Sequence, residues 1–299
     1  MSSLISRLRL GGLAAASVLL IAACGSSSSS TSSSASASSS GSSSAAAAAT
    51  SSSSGASSGK TYVVATSADF PPFSSRSASN PNVIVGFEPD MIKAVMAHLG
   101  WKYKWITSDF NGLIPAVQSG RVDMVVSDVY DTPTREKVVD FVDYLKTGLS
   151  VMVKSSNASK VHSFMDICGK SMGILTGASS ELTFAQQASS ACTKAGKPAI
   201  DIHSFPAVAQ EVPALENGNL YAMFEDTITE HLIAAKQNGA VKVVFSDPSA
   251  TTLLGIVVKK GSAVESQLRA GVQWYLGTPQ YKATAAKWGL PTSALIKKA

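Results

Sequence analysis

Apolar positions along residues 60–299 fall into two rhythms that take turns, and that alternation predicts the fold class. "TYVVAT" (61–66), "YKWIT" (103–107) and "VDMVV" (122–126) are short apolar runs with the composition of strands. Between them Met91, Val95 and Leu99 recur at helical spacing in "MIKAVMAHL", and "GLIPAVQS" reads as a short helix. The same order returns downstream. "SMGIL" (171–175) precedes the helical "ELTFAQQA", "LYAMF" (220–224) precedes "ITEHLIAAKQ", and "VKVVF" (241–245) is a further strand. Strands alternating with helices predict an α/β fold. Two segments also echo each other: "AVQSGRVDMVVSD" (116–128) and "ALENGNLYAMFED" (214–226) both run helix end, glycine turn, apolar strand, acid. Each follows its own strand–loop–helix unit, which predicts two similar lobes.

In such sheets ligands bind beyond the carboxyl ends of the strands, so the loops there carry the candidate chemistry. In "SADFPPF" (67–73) two prolines stiffen the chain; Phe70 is expected as a flat exposed wall for a ligand and Phe73 as a core residue. In "SDVYDTPTREKVVDF" (127–141) Thr132 offers an N-cap and Pro133 suits a first helical position, which predicts a helix there. Arg135 would then sit in the first turn, where the helix dipole disfavours a cation. Two readings are open: a surface ion pair with Asp131 or Asp140, or a bound carboxylate meeting both the guanidinium and the helix N–H groups. In "LTGASSEL" (175–182) Ala178, Ser179 and Ser180 form a second anion-binding helix start or, more simply, a serine N-cap. In "FEDTITE" (224–230) Thr227 and Glu230 match a capping box, leaving Asp226 either as an ammonium partner or as a solvated loop acid. Together these loops offer a cation, N–H donors, a carboxylate and an aromatic wall, the complement of an α-amino acid zwitterion.

Composition sets the surroundings of that site. Residues 1–23 hold two arginines and an apolar stretch too short to span a bilayer comfortably, the pattern of a secretory signal. It ends at Ile21-Ala22-Ala23-Cys24, which resembles a bacterial lipobox with Cys24 as the lipidated residue. Residues 24–59 are nearly all Ser, Ala, Gly and Thr, a flexible tether spanning roughly 30 Å. Removing Arg7 and Arg9 with the signal takes the formal charge from +5 to +3, too little and too scattered for a nucleic-acid partner. With Cys24 assigned, Cys168 and Cys192 remain as an even pair in an exported chain. A bridge between them would contribute about 3 kcal/mol; metal binding is the weaker alternative, and the four histidines lack zinc spacing. "CGKS" (168–171) lacks the first glycine of a Walker A loop, and "GASS" is no nucleophile elbow.

"GFEPDMIKAV" (86–95), "LIPAVQSGRVDMVVS", "TREKVVDF", "GKSMGILTGASSE", "GIVVKKG" and "YKATAAKWGL" resemble segments of the family 3, polar amino acid, solute-binding proteins of bacterial ABC importers. The resemblance spans roughly residues 60–290, with Pro89 and Met96 departing from the usual residue classes. It implies a periplasmic-binding-protein-like fold, two α/β lobes joined by two hinge strands, with lobe 1 at 60–149 plus 252–299 and lobe 2 at 150–251. It implies Arg135 as the clamp on the ligand α-carboxylate and Asp226 as the acid for the α-ammonium. Phe70 and Phe110 fall at stacking positions, Ser127 and Tyr130 at polar contacts, and Ala178 and Ser179 at the carboxylate-binding helix start. Thr176 and Glu225 are candidates for reading the side-chain tip; Ser67 argues against a basic ligand, while Asp69 and Asp128 keep that possibility open. The expected protein is a monomeric, cofactor-free, lipid-anchored receptor that delivers an amino acid to a membrane permease. The rivals are an exported dehydratase-like enzyme, with Glu88, Glu225 or Asp128 as the acid, and a ligand-sensing receptor.

Overall fold

The computed structural model describes residues 59–299. The signal, lipidation and tether expectations, Cys24 included, lie outside the described residues. The chain begins with β1 (Thr61–Thr66), β2 (Asp69–Phe70), β3 (Ser74–Arg76), β4 (Ile84–Val85), α1 (Phe87–Leu99) and β5 (Lys102–Thr107). It continues through α2 (Phe110–Gln118), β6 (Met124–Val125), β7 (Tyr130–Asp131) and β8 (Val139–Lys154). Then follow β9 (Ser171–Leu175), α3 (Ser179–Lys194), β10 (Asp201–Phe205), α4 (Val208–Asn217), β11 (Ala222–Asp226) and α5 (Thr227–Lys236). β12 (Val241–Lys259), α6 (Glu265–Leu276) and α7 (Pro279–Lys287) complete the order.

The main sheet runs β10-β9-β11-β8-β12-β6-β1-β5, with β7 also paired to β12. β9, β10 and β11 are parallel to one another, as are β5, β1 and β6. Between these groups lie two long antiparallel strands, β8 of 16 residues and β12 of 19. They pair from Val139↔Lys259 at one end to Val241↔Lys154 at the other. Their register shifts between Asp247 and Thr252. The result is two α/β lobes joined by two strands that run through both. β8 can take this central place because its buried positions are mostly apolar: Tyr144, Leu145, Leu149, Val151, Met152 and Val153 are fully buried. Each such side chain contributes about 1.5–3 kcal/mol on burial.

The internal repeat is legible in detail. α2 and α4 each carry a proline at their sixth residue, Pro115 and Pro213. Each is followed by a left-handed glycine, Gly120 at φ 75° and Gly218 at φ 81°, and then by β6 or β11. α1 buries Met91, Ile92, Val95 and Met96 and exposes Lys93, Ala97 and His98. Gly86, before it, has φ 146°, and a Cβ there would run into the Phe73 carbonyl, so only glycine lets α1 start against the first loop. Cys168 and Cys192 form a disulfide with their Cα atoms 5.6 Å apart, tying the entry to β9 onto α3. No helix among the described residues is long and apolar enough to cross a membrane.

One predicted element is absent. Residues 133–138 make a turn in place of the helix expected after Thr132. The local signal acts as read: Thr132 Oγ1 accepts from the Arg135 N–H at 3.3 Å, and Glu136 N–H donates to the Thr132 carbonyl at 2.9 Å. The helix stops because Val139 is already paired with Lys259 of β12. A cooperative ladder of 14 matched residue pairs outweighs one capped turn. The helix-dipole account of Arg135 therefore does not hold.

Candidate ligand-binding site

β1, β6, β9 and β11 end at Thr66, Val125, Leu175 and Asp226, and the residues just beyond them converge. Phe70, Phe110 and Ala178 belong to one buried cluster, so residues following three different strands meet there. The Phe70 and Phe110 rings lie 6.0 Å apart at 37°. Phe73 is a fully buried core residue, as expected, but Phe70 is only 2% exposed and is no exposed wall. The lobes touch here: a Cβ on Gly177 would stand 2.8 Å from Asn111.

Arg135 is 6% exposed. Its guanidinium donates to the Tyr130 carbonyl at 3.0 Å and to the Gly177 carbonyl at 3.3 Å, and lies 5.9 Å from the Phe110 ring centre. Neither expected surface partner holds it: Asp140 is paired with Lys260 at 2.6 Å, and among the described residues no ion pair includes Arg135. Burial lowers its pKa, opposed most by the charge of Glu181. A guanidinium has five N–H donors, so donors remain for an acceptor from outside.

Asp226 is also buried, but it is not the spare acid that a capping box at Thr227 would leave. Asp226 itself caps α5: Oδ1 accepts from the N–H groups of Ile228 at 2.8 Å and Thr229 at 2.9 Å. Oδ2 accepts from the hydroxyls of Tyr130, at 3.1 Å, and Thr147. Thr227 Oγ1 is buried without a partner, and Glu230 accepts from the Ser150 hydroxyl at 2.6 Å. The offset by one residue follows from burial, since Asp226 is the last residue of a wholly buried strand and its charge needs every donor in reach. Burial raises its pKa, and these four hydrogen bonds oppose the rise.

The remaining candidates divide. The Ser127 hydroxyl is engaged by Ser67, 3.0 Å from its N–H and 2.9 Å from its hydroxyl. Tyr130 bridges the lobes, its carbonyl on Arg135 and its hydroxyl on Asp226, and burial pushes its pKa well up. Asp128 is 4% exposed, and its N–H donates to Glu88 Oε1 at 2.7 Å. Ala178, not a serine, is the N-cap of α3, with no side-chain cap bond; Ser179 is exposed. Thr176 is half-buried, its N–H given to the Phe205 carbonyl at 2.8 Å. Glu225 turns away from the cleft, because successive residues of a strand point to opposite faces. It faces Glu211 instead, and burial raises its pKa to about 8.

Sequence reasoning missed Thr147 and the Gly177 carbonyl, and weighed Glu88 only as the acid of an enzyme. Thr147 carries no local signal that sets it apart from the other polar residues of β8. Glu88 stands in the first turn of α1, where an acid is ordinary, yet it is fully buried, accepts from the Tyr144 hydroxyl, and has its pKa raised by burial to about 7. Seven carboxylates are buried, Glu88, Asp128, Glu181, Glu211, Glu225, Asp226 and Glu230, against one buried guanidinium among the described residues.

Residues 62–291 match the family described as bacterial extracellular solute-binding proteins, family 3. The chain belongs to that family. This family 3 protein is 38% identical over 125 residues to the arginine-binding extracellular protein ArtP of Bacillus subtilis (strain 168), a match covering 42% of this chain. The match spans 48% of that relative, about half its length. Among solved structures it is similar to an ancestral arginine-binding protein bound to arginine, at 29% identity and a TM-score of 0.68, over 76% of this chain and 97% of the other. It is similar as well to an ancestral amino acid-binding protein, a precursor of cyclohexadienyl dehydratase, at 29% identity and a TM-score of 0.67, over 76% and 95% of the two chains.

Proposed function

We propose that this family 3 protein is the extracytoplasmic receptor of an ABC importer and captures one L-α-amino acid between its two lobes. The observation that carries this reading is Arg135, a buried guanidinium with two carbonyl acceptors and no carboxylate. A ligand α-carboxylate completes it, with Ala178 and Ser179 at the start of α3 on the other side. The α-ammonium sits by the Tyr130–Asp226–Thr147 group, and Phe70 and Phe110 bound the side chain. Ser127 is a positioning group that ties its loop to Ser67, and Thr176 is nearest the side-chain tip on the second lobe. Lobe 1 comprises 60–149 plus 252–299 and lobe 2 comprises 150–251, so that β8 and β12 carry the hinge.

The rest of the proposal concerns delivery. Residues 1–23 are a signal, Cys24 is the lipidated residue, and 24–59 form the tether of a monomer held at the outward face of the cell membrane beside its permease. The names of the relatives make L-arginine the first ligand to try. An enzyme reading draws on the dehydratase precursor among the solved structures. It is disfavoured because, of its candidate acids, Glu88 already holds the Asp128 N–H and the Tyr144 hydroxyl on Oε1, and Glu225 faces Glu211 rather than the cleft. A thermal-shift screen of the twenty amino acids tests the reading. One or a few L-amino acids should raise Tm by several degrees, equivalent to about 3 kcal/mol at a hundredfold excess over Kd. A flat response to all twenty would overturn it.

A further inference from the structure

Asp128 is distinguished among the buried acids by its backbone. It is 4% exposed, and its Oδ1 has no hydrogen-bond partner. Its backbone sits at φ 50°, in the left-handed region that a side chain enters only at a conformational cost. The N–H bond to Glu88 at 2.7 Å fixes that conformation. Strain of this kind persists where the surroundings over-determine it, and here it places a buried carboxylate oxygen without a donor. The charged and titratable groups around Asp128 are Glu88 on α1, Tyr144 on β8, Glu181 on α3, Glu225 and Asp226 on β11, and Arg135 with Tyr130 beside β7. Only Arg135 is a cation.

An amino acid with a neutral side chain brings one negative and one positive charge, so it satisfies Arg135 and leaves the acidic surplus as it was. We propose that Asp128 is the specificity-determining residue of the cleft, its unpartnered carboxylate oxygen receiving the second positive charge of an L-α-amino acid with a cationic side chain. This rests on the amino-acid reading above and adds to it the class of side chain and the residue that selects it. Burial first, and then the neighbouring acids with Asp226 foremost, raise the pKa of Asp128 well above the usual carboxylate range, and a ligand cation opposes that rise. Affinity for a cationic amino acid therefore falls as pH falls, while affinity for a neutral one of the same shape does not.

L-arginine and its uncharged isostere L-citrulline make the test. Both are titrated calorimetrically into the full chain, wild type and Asp128→Asn, at pH 5.5 and 7.5. Asp128→Gly is the companion variant, since it removes the carboxylate while relieving the backbone at φ 50°. The wild type should favour arginine by roughly tenfold to a hundredfold at pH 7.5 and by less at pH 5.5. Both variants should bring the ratio close to one and abolish its pH dependence. A preference for arginine that survives in Asp128→Gly would overturn the role of Asp128, as would a wild type that binds both ligands equally. A wild type that binds neither would overturn the amino-acid reading itself, and this inference with it.

Discussion

Arg135 and Asp226 are joined through one residue, Tyr130, yet the two ends of that link are built in opposite ways. Asp226 receives four hydrogen bonds, two from the start of α5 and two from hydroxyls on β7 and β8. Arg135 donates to two carbonyls and meets no carboxylate. One charge is met by hydrogen bonds from the fold; the other is left short of an anion. The contrast separates two tasks that the sequence merges into a pair of opposite charges. Asp226 holds the lobes and the start of α5 in place, so that the geometry of the cleft exists before anything enters it. Arg135 carries the attraction.

The largest effect expected from breaking the comparison is on the preorganised side. Asp226→Ala leaves two N–H groups and two hydroxyls without their acceptor, and should cost about 4 kcal/mol of stability in a denaturant titration. Wild-type stability in that variant would show that the four hydrogen bonds are not what organises the cleft. Next comes Glu88, which anchors Asp128. Its pKa is raised from 4.5 to about 7, so its contribution to folding is fully present below pH 4.5 and is lost as pH rises through 7. Glu88→Gln accepts the same two donors without a charge. Relative to wild type it should therefore gain roughly 3 kcal/mol between pH 4.5 and 8, read from denaturation curves at the two pH values. A wild type and variant that shift in parallel would rule this out. The smallest effect sharpens the assignment of the cap. Thr227→Ala should change stability by less than about 0.5 kcal/mol, because the Thr227 hydroxyl has no partner. A loss near 1 kcal/mol would restore Thr227 as the N-cap.

What the sequence made legible is what depends on local pattern. The strand-end loops, the two-lobed repeat and the Cys168–Cys192 bridge follow from residue type and spacing. What it hid depends on partners far along the chain. The helix expected after Thr132 stops because Val139 meets Lys259, 120 residues later, and no feature of 132–141 records that pairing. The cap of α5 lies one residue before the one that "TITE" predicts, since Asp226 outcompetes Thr227 only once the strand before it is buried. Thr147 is one of several polar residues in β8, and its role appears only when Asp226 comes within hydrogen-bond reach. Pro115 and Pro213 are the exception, since their matching places in α2 and α4 stand in the sequence and mark the repeat further than the glycine turns do.

The most direct measurement compares L-arginine with agmatine, which keeps the guanidinium and the amine but lacks the α-carboxylate, on the wild type and on Arg135→Ala by calorimetry. If Arg135 waits for a ligand carboxylate, the wild type should bind L-arginine about thirty-fold to several-thousand-fold more tightly than agmatine, a difference of about 2–5 kcal/mol. In Arg135→Ala that difference should disappear, because arginine binding falls to the level of agmatine. Arginine binding that is unchanged by Arg135→Ala, with agmatine still discriminated, would place the carboxylate elsewhere and contradict the role given to Arg135.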